Sequence, residues 1–307
     1  MTNRTAQRRQ QAAKGGSSKG NKSKGNKRNN QRRRSRFPLF AIGAVVAIVI
    51  VMVGLSVYNH VKTPATPGNS GTARVIDAVT TVPAAALDAV GAGEGINPPA
   101  AIAAGAPAVT SDGKPQVLYI GAEYCPYCAS ERWPLVIALS RFGTFTGLGL
   151  TTSSATDVFP STSTLKFFGS TYASDVISFT AVETNTNQLS ASGLGYEALE
   201  TPTPEQQSLM QTYNAPPYTS QAGSIPFTLI GNRFVISGSS YPPDILQGKT
   251  WQQISSALSD PSSPIAKQVL AAANMLTAAI CELSGGQPAN VCTAPGVTAA
   301  AATLPPA

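Results

Sequence analysis

The chain has 307 residues, enough for one medium domain with appendages, and carries a formal net charge of +7 with a single histidine, His60. One histidine excludes a two-histidine zinc site, and a Ser-His-Asp triad or a histidine proton relay would have to rest on His60 alone. Residues 1–36 hold 13 Lys/Arg and no Asp/Glu, which leaves 9 of the 22 basic residues against all 15 acidic ones, a net of −6 over the rest. The basic character belongs to a tail, and no specific nucleic-acid-binding fold is implied.

In chain order, residues 1–36 offer too little apolar area to offset the entropy of ordering, and disorder is predicted. Residues 37–58 (FPLFAIGAVVAIVIVMVGLSVY) contain no charge. At about 1.5 Å per residue they span a ~30 Å hydrocarbon layer as one transmembrane helix. The run exceeds the roughly 7–15 apolar residues of a secretory signal and ends in Asn59-His60-Val61-Lys62, so an uncleaved anchor is expected. Arg32, Arg33, Arg34 and Arg36 abut its start. The positive-inside rule then puts the tail in the cytoplasm and residues 60–307 outside, as a single-pass protein of the cell membrane.

Residues 59–74, rich in Pro, Gly, Ser and Thr, read as a linker, and 75–293 as the folded domain. A short helix is predicted over 83–90, with little local preference from 91 to 113. Residues 116–120 (QVLYI) form an apolar run of the buried-strand type. A helix over 129–142 places Trp133, Val136, Ile137 and Ser140 on one face, with Gly143 to stop it and Pro134 to kink it. Residues 148–152 and 176–182 read as strands, and 205–213 as a helix after Pro204. Residues 227–230 and 233–236 read as a hairpin turning on Gly231-Asn232. Thr250 caps a helix carrying Trp251, Ile254 and Leu258. The last helix starts at Ser263-Pro264 and stripes Ile265, Val269, Ala272, Leu276, Ala279 and Ile280 along one side. Residues 294–307, low-complexity Ala/Thr/Pro, are expected to fray.

The chemistry-bearing segment is Cys125-Pro126-Tyr127-Cys128, placed between the first apolar strand and the following helix. Two intervening residues put the first thiol at a helix N-terminus and the second one turn in. Free N–H groups and the helix dipole there stabilise a Cys125 thiolate, and such cysteines have pKa values of roughly 3.5–7.5. A thiolate is the nucleophile of disulfide exchange, and Cys128 is placed to resolve the mixed disulfide. The alternatives are weaker. A structural zinc site calls for a second CxxC or histidines, a structural bridge this short constrains little, and an iron–sulfur cluster needs more cysteines. Cys281 and Cys292 suit a structural disulfide closing a loop of about 12 residues, at about 3 kcal/mol; a second redox relay pair is the functional alternative. Tyr119 and Trp133 read as core, whereas Tyr124 and Tyr127 flank the cysteines. Glu123 is either a proton-transfer group for Cys128 or, preferably, a solvated charge.

Residues 116–142 (QVLYIGAEYCPYCASERWPLVIALSRF) resemble the first strand, active-site loop and core helix of the thioredoxin superfamily. Residues 224–238 (SIPFTLIGNRFVISG) resemble its second half, where Ile-Pro opens a hairpin facing the active site. The whole chain is similar to a membrane-anchored thioredoxin-like family catalogued chiefly as a domain of unknown function. The resemblance implies an α/β thioredoxin-like fold preceded by one transmembrane helix, with an insertion between the two halves, placed at 153–200. It implies Cys125 as attacking and Cys128 as resolving cysteine, with a cis peptide before Pro226. Ile225, Pro226, Tyr124, Pro126 and Tyr127 would contact substrate. An ordinary trans proline at a strand start is the alternative at Pro226.

The function expected is an extracytoplasmic thiol–disulfide oxidoreductase acting on exported cysteine-containing proteins, without a cofactor. A non-catalytic binding module of the same fold is the alternative. The tail would adhere to anionic lipids at about 1 kcal/mol per nearby Lys/Arg. A membrane redox partner is implied if the enzyme works as a reductant.

Overall fold

Four consecutive apolar residues, Val117, Leu118, Tyr119 and Ile120, can all be buried only in a strand covered on both faces. The computed structural model, which describes residues 66–306, places them in such a strand, β3 (Lys114–Gly121). The tail read at 1–36, the transmembrane helix read at 37–58 and the first part of the linker lie outside the described residues. Five strands join β3 in one mixed sheet: β1 (Ala100–Ala101), β2 (Thr110–Ser111), β8 (Ser178–Glu183), β11 (Phe227–Ile230) and β12 (Phe234–Ser237). On one side of β3, β8 runs parallel, with Val117 opposite Phe179 and Ile120 opposite Val182. On the other, β11 runs antiparallel, with Ile120 opposite Phe227, followed by β12 and the edge strand β1. The short β2 folds back on the start of β3.

Alternation along these strands divides the core. Val117, Tyr119, Ile230, Phe234 and Ile236 point to one face. There they meet helices α3 (Pro126–Leu139) and α6 (Pro264–Leu283). Leu118, Ile120, Phe227, Leu229 and Val235 point to the other, where α4 (Pro204–Tyr213) contributes Leu209, Met210 and Tyr213. A capping box between Thr203 and Gln206 starts α4. The same device at Thr250 and Gln253 starts α5 (Trp251–Ala257), where a cap was expected.

Helix α3 is buried on every side from Cys128 to Leu139, so no single apolar face exists. It is packed against the sheet, α6 and the strand β6 (Ser163–Lys166), and it runs through Pro134 without ending. Helix α6 is long and apolar enough to cross a membrane, yet 83% of that stretch is buried inside the domain, where it is the central core helix. Its predicted stripe residues are all buried.

Four readings from sequence are corrected. The span 153–200 is not one insertion, because it contains β8, a strand of the main sheet. Additional ribbons flank β8 on both sides. Before it come β4 (Thr144–Thr146) with β7 (Thr171–Ala173), and β5 (Gly149–Thr152) with β6; after it comes β9 (Asn185–Leu189) with β10 (Tyr196–Ala198). The linker read at 59–74 overlaps helix α1 (Asn69–Thr80), which buries Val75 and Val79. The tail read as frayed at 294–307 contains α8 (Pro295–Ala301), which buries Val297 and Ala300 against α6 and α2 (Ala84–Val90). Asp88 accepts from Gly296 N–H at 2.9 Å, and buried Asn274 donates to the Leu87 and Gly91 carbonyls at 2.8 and 2.9 Å. Local composition in both segments is weak, and order comes from tertiary burial. Finally, the hairpin turn has three residues, with Ile230 opposite Phe234. The Arg233 carbonyl is taken by Ile102 N–H at 2.8 Å and the Asn232 amide donates to Ala106 at 2.7 Å, so the turn serves the edge of the sheet.

Candidate dithiol site

Strand β3 ends at Gly121, and four residues later Cys125 is the N-cap of α3 with extended backbone (φ −74°, ψ 122°). Pro126 occupies the first helical position, where no N–H is needed. Cys125 Sγ accepts from Cys128 N–H at 3.3 Å, satisfying one of the helix's unpaired donors. Cys125 is 5% exposed and Cys128 fully buried, and both are free thiols.

The two thiols are driven apart. A hydrogen bond from the Cys128 thiol holds Cys125 below the ordinary thiol range against the opposing cost of burial. The Cys128 and Tyr127 amides and the Arg132 charge add to the effect. Burial pushes Cys128 well above that range, and its hydrogen bond to Cys125 adds to this. The same surroundings thus favour charge on Cys125 and disfavour it on Cys128.

Across from the cysteines, Ile225–Pro226 is a cis peptide bond, and the Cys125 thiol faces the Ile225 carbonyl at 3.8 Å. Gly238 N–H donates to the Pro226 carbonyl at 2.8 Å, joining the segment to the end of β12. Tyr127 is exposed and lies edge-on to Phe159, with ring centroids 6.2 Å apart. Tyr124 is half-buried and stacks on Tyr196 at 4.1 Å, and the Tyr196 hydroxyl meets Ser154 Oγ at 2.8 Å. Tyr119 and Trp133 are fully buried core residues, and the Trp133 indole donates to Ser163.

Glu123 departs from the solvated charge expected. It is 4% exposed and pairs with Lys166 Nζ at 3.4 Å, because the preceding strand end and the Asn185 carbonyl, which accepts Glu123 N–H at 2.9 Å, draw the loop inward.

Sequence reasoning passed over three buried charges. Arg132, one turn below Cys128, forks onto Glu183 at the end of β8, with Nε–Oε1 at 2.8 Å and Nη2–Oε2 at 2.7 Å. Nη2 also donates to the Ala122 carbonyl at 2.9 Å. Glu131 accepts from Ser240 N–H and Ser240 Oγ–H, each at 2.7 Å. The available signal was Glu131-Arg132 standing next to one another in an otherwise apolar helix core, where no turn of the helix faces water. Among the described residues, no group of three or more His, Cys, Asp or Glu side chains is placed to hold a metal ion. Cys281 and Cys292 form a disulfide, with Cα atoms 5.6 Å apart, tying the short helix α7 (Ala289–Cys292) to the end of α6.

Fold and site together define a mixed α/β domain with a dithiol at the N-terminus of α3, opposite an Ile-Pro turn. Residues 103–282 match the family described as Domain of unknown function (DUF929), and the chain belongs to that family. The match includes Cys125, Cys128 and Pro226 and stops between Cys281 and Cys292. No curated protein and no solved structure matches the chain.

Proposed function

We propose that the chain is a thiol–disulfide oxidoreductase of the thioredoxin-like type, held at the membrane by residues 37–58 and acting outside on exported cysteine-containing proteins. The observation that carries this reading is the asymmetry of the dithiol: Cys125 caps α3 through its sulfur, which accepts Cys128 N–H at 3.3 Å and so favours the thiolate, while Cys128 is fully buried, which disfavours one. The arrangement β3–α3–β8 followed by β11–β12–α6, with the Ile225–Pro226 turn across from the cysteines, supports the thioredoxin-like assignment.

In the reductive direction the Cys125 thiolate attacks one sulfur of a substrate disulfide. A Cys125–substrate bond forms, the substrate disulfide breaks, and its second sulfur leaves as thiolate and takes up a proton. Cys128 then gives up its proton and attacks Cys125 Sγ, releasing the first substrate sulfur. The substrate disulfide has become two thiols and the protein dithiol a disulfide. The reverse sequence oxidises a substrate. Contacts that stabilise the Cys125 thiolate favour the reduced protein, which makes its disulfide form the stronger oxidant.

Insulin reduction and oxidative refolding of a reduced test protein are compared for the full-length chain and Cys125→Ser. Loss of both activities in the variant is expected. Equal rates refute the enzyme reading and leave the binding-module alternative.

A further inference from the structure

A groove of about 550 Å³ opens beside the dithiol, bounded by the segment before β1, the loop that follows α4 and the end of β12. Ile225 lines it, and the carbonyl of the same residue faces Cys125 Sγ at 3.8 Å; Tyr127 lines it from the cysteine loop. The groove therefore lies next to Cys125, separated from its sulfur by the Ile225 main chain. Its volume falls in the ~300–1,000 Å³ range of ligand pockets, room for a few residues of extended chain and too little for a folded partner.

Its walls are cross-linked. Ser237 Oγ donates to Asn214 Oδ1 at 2.9 Å, and Asn214 Nδ2 donates to the Ser224 carbonyl at 2.6 Å. Asn97 Nδ2 donates to the Ser239 carbonyl at 3.0 Å, and Ser239 Oγ donates to Ser130 Oγ on α3 at 3.0 Å. A groove braced in this way is formed before the ligand arrives, which reduces the entropy lost on binding.

Among the described residues, fifteen line the groove and none of them is charged. Polar contacts come from groups such as Asn97, Tyr218, Thr219 and Gln221, which hydrogen-bond main chain or neutral side chains. A carboxylate or ammonium placed there sheds water without gaining a counter-charge, and that is costly. Small acidic thiols such as glutathione are bound elsewhere in chemistry by cationic, charge-assisted contacts, and this lining supplies none.

We infer that the groove selects substrates in which an uncharged polypeptide segment flanks the reactive cysteine, over acidic or basic segments and over glutathione. The inference rests on the reading of Cys125 as the exchanging nucleophile.

The test uses full-length Cys128→Ser protein and four cysteine compounds, each as a mixed disulfide with thionitrobenzoate: a Ser/Thr/Tyr-flanked peptide, an Asp/Glu-flanked peptide, a Lys-flanked peptide and glutathione. The Cys125 thiolate forms a disulfide with the peptide sulfur, the bond to thionitrobenzoate breaks, and the coloured thiolate departs with the electron pair. Each rate is divided by that of free N-acetylcysteine with the same compound. The neutral peptide is expected to react at least tenfold faster than the other three. Ser220→Lys, at an exposed position of the lining, is expected to raise the relative rates of the acidic peptide and glutathione at least threefold. Equal normalised rates, or glutathione as the fastest, overturn the groove inference while Cys125 still exchanges. No colour release from any compound refutes the nucleophile reading, and the groove inference with it.

Discussion

Glu131 is a fully buried carboxyl in the helix that carries the cysteines, and its replacement by Gln separates a charge from its hydrogen bonds. Burial raises its pKa from 4.5 to about 7, against the opposing pull of the Ser240 amide and hydroxyl. A raised pKa means that, between those two values, the folded protein binds a proton the unfolded chain has released. The neutral carboxyl's stability contribution is complete below pH 4.5 and is lost as pH rises through 7. At ~1.36 kcal/mol per pH unit, the interval between the two values corresponds to about 3 kcal/mol. Gln keeps the carbonyl that accepts Ser240 N–H and never ionises. Urea unfolding of reduced wild-type and Glu131→Gln protein at pH 5 and pH 8.5 measures the effect. The stability of wild type relative to the variant should fall by about 2.5 kcal/mol between the two conditions, since part of the change has already occurred at pH 5. The cysteines titrate in both proteins, so their contribution cancels in the difference. Parallel pH profiles would refute the argument that burial of Glu131 outweighs its hydrogen bonds.

Removing Arg132 alone strands Glu183 as an unpaired buried charge. Arg132→Met should lose about 3–5 kcal/mol in denaturant unfolding. The double variant Arg132→Met/Glu183→Leu should regain most of that and resolve mixed disulfides only slightly more slowly, because the downward pull of Arg132 on the Cys128 pKa exceeds the upward push of Glu183 and both are removed. Replacing both Cys281 and Cys292 with Ser should cost about 3 kcal/mol of stability, the entropy of a loop with sequence separation 11, and leave Cys125 exchange rates unchanged. A fall in exchange rate without loss of stability would favour the relay alternative.

The central strand, the helix after the cysteines, the two strands of the hairpin after Pro226 and helices α5 and α6 were legible in sequence because each has a local cause. Four apolar residues in a row, an N-cap sulfur followed by proline, and Thr250 three residues before Gln253 act over one turn or one strand. The segments at 69–80 and 295–301 were not legible, since Ala-, Gly- and Thr-rich stretches gain order only from the core surface they cover.

The sequence by itself determined the chemistry available: two thiols at helix-start spacing, one able to become a thiolate and the other one turn away. Tertiary structure alone decided the environment of that chemistry. It brings Ile225 from 100 residues away to within 3.8 Å of Cys125, buries Glu123, Glu131 and Arg132, and leaves a groove with an uncharged lining beside Ile225. Spacing along the chain acts over a few ångströms of backbone, whereas burial and the pairing of charges depend on which distant segments close over a site.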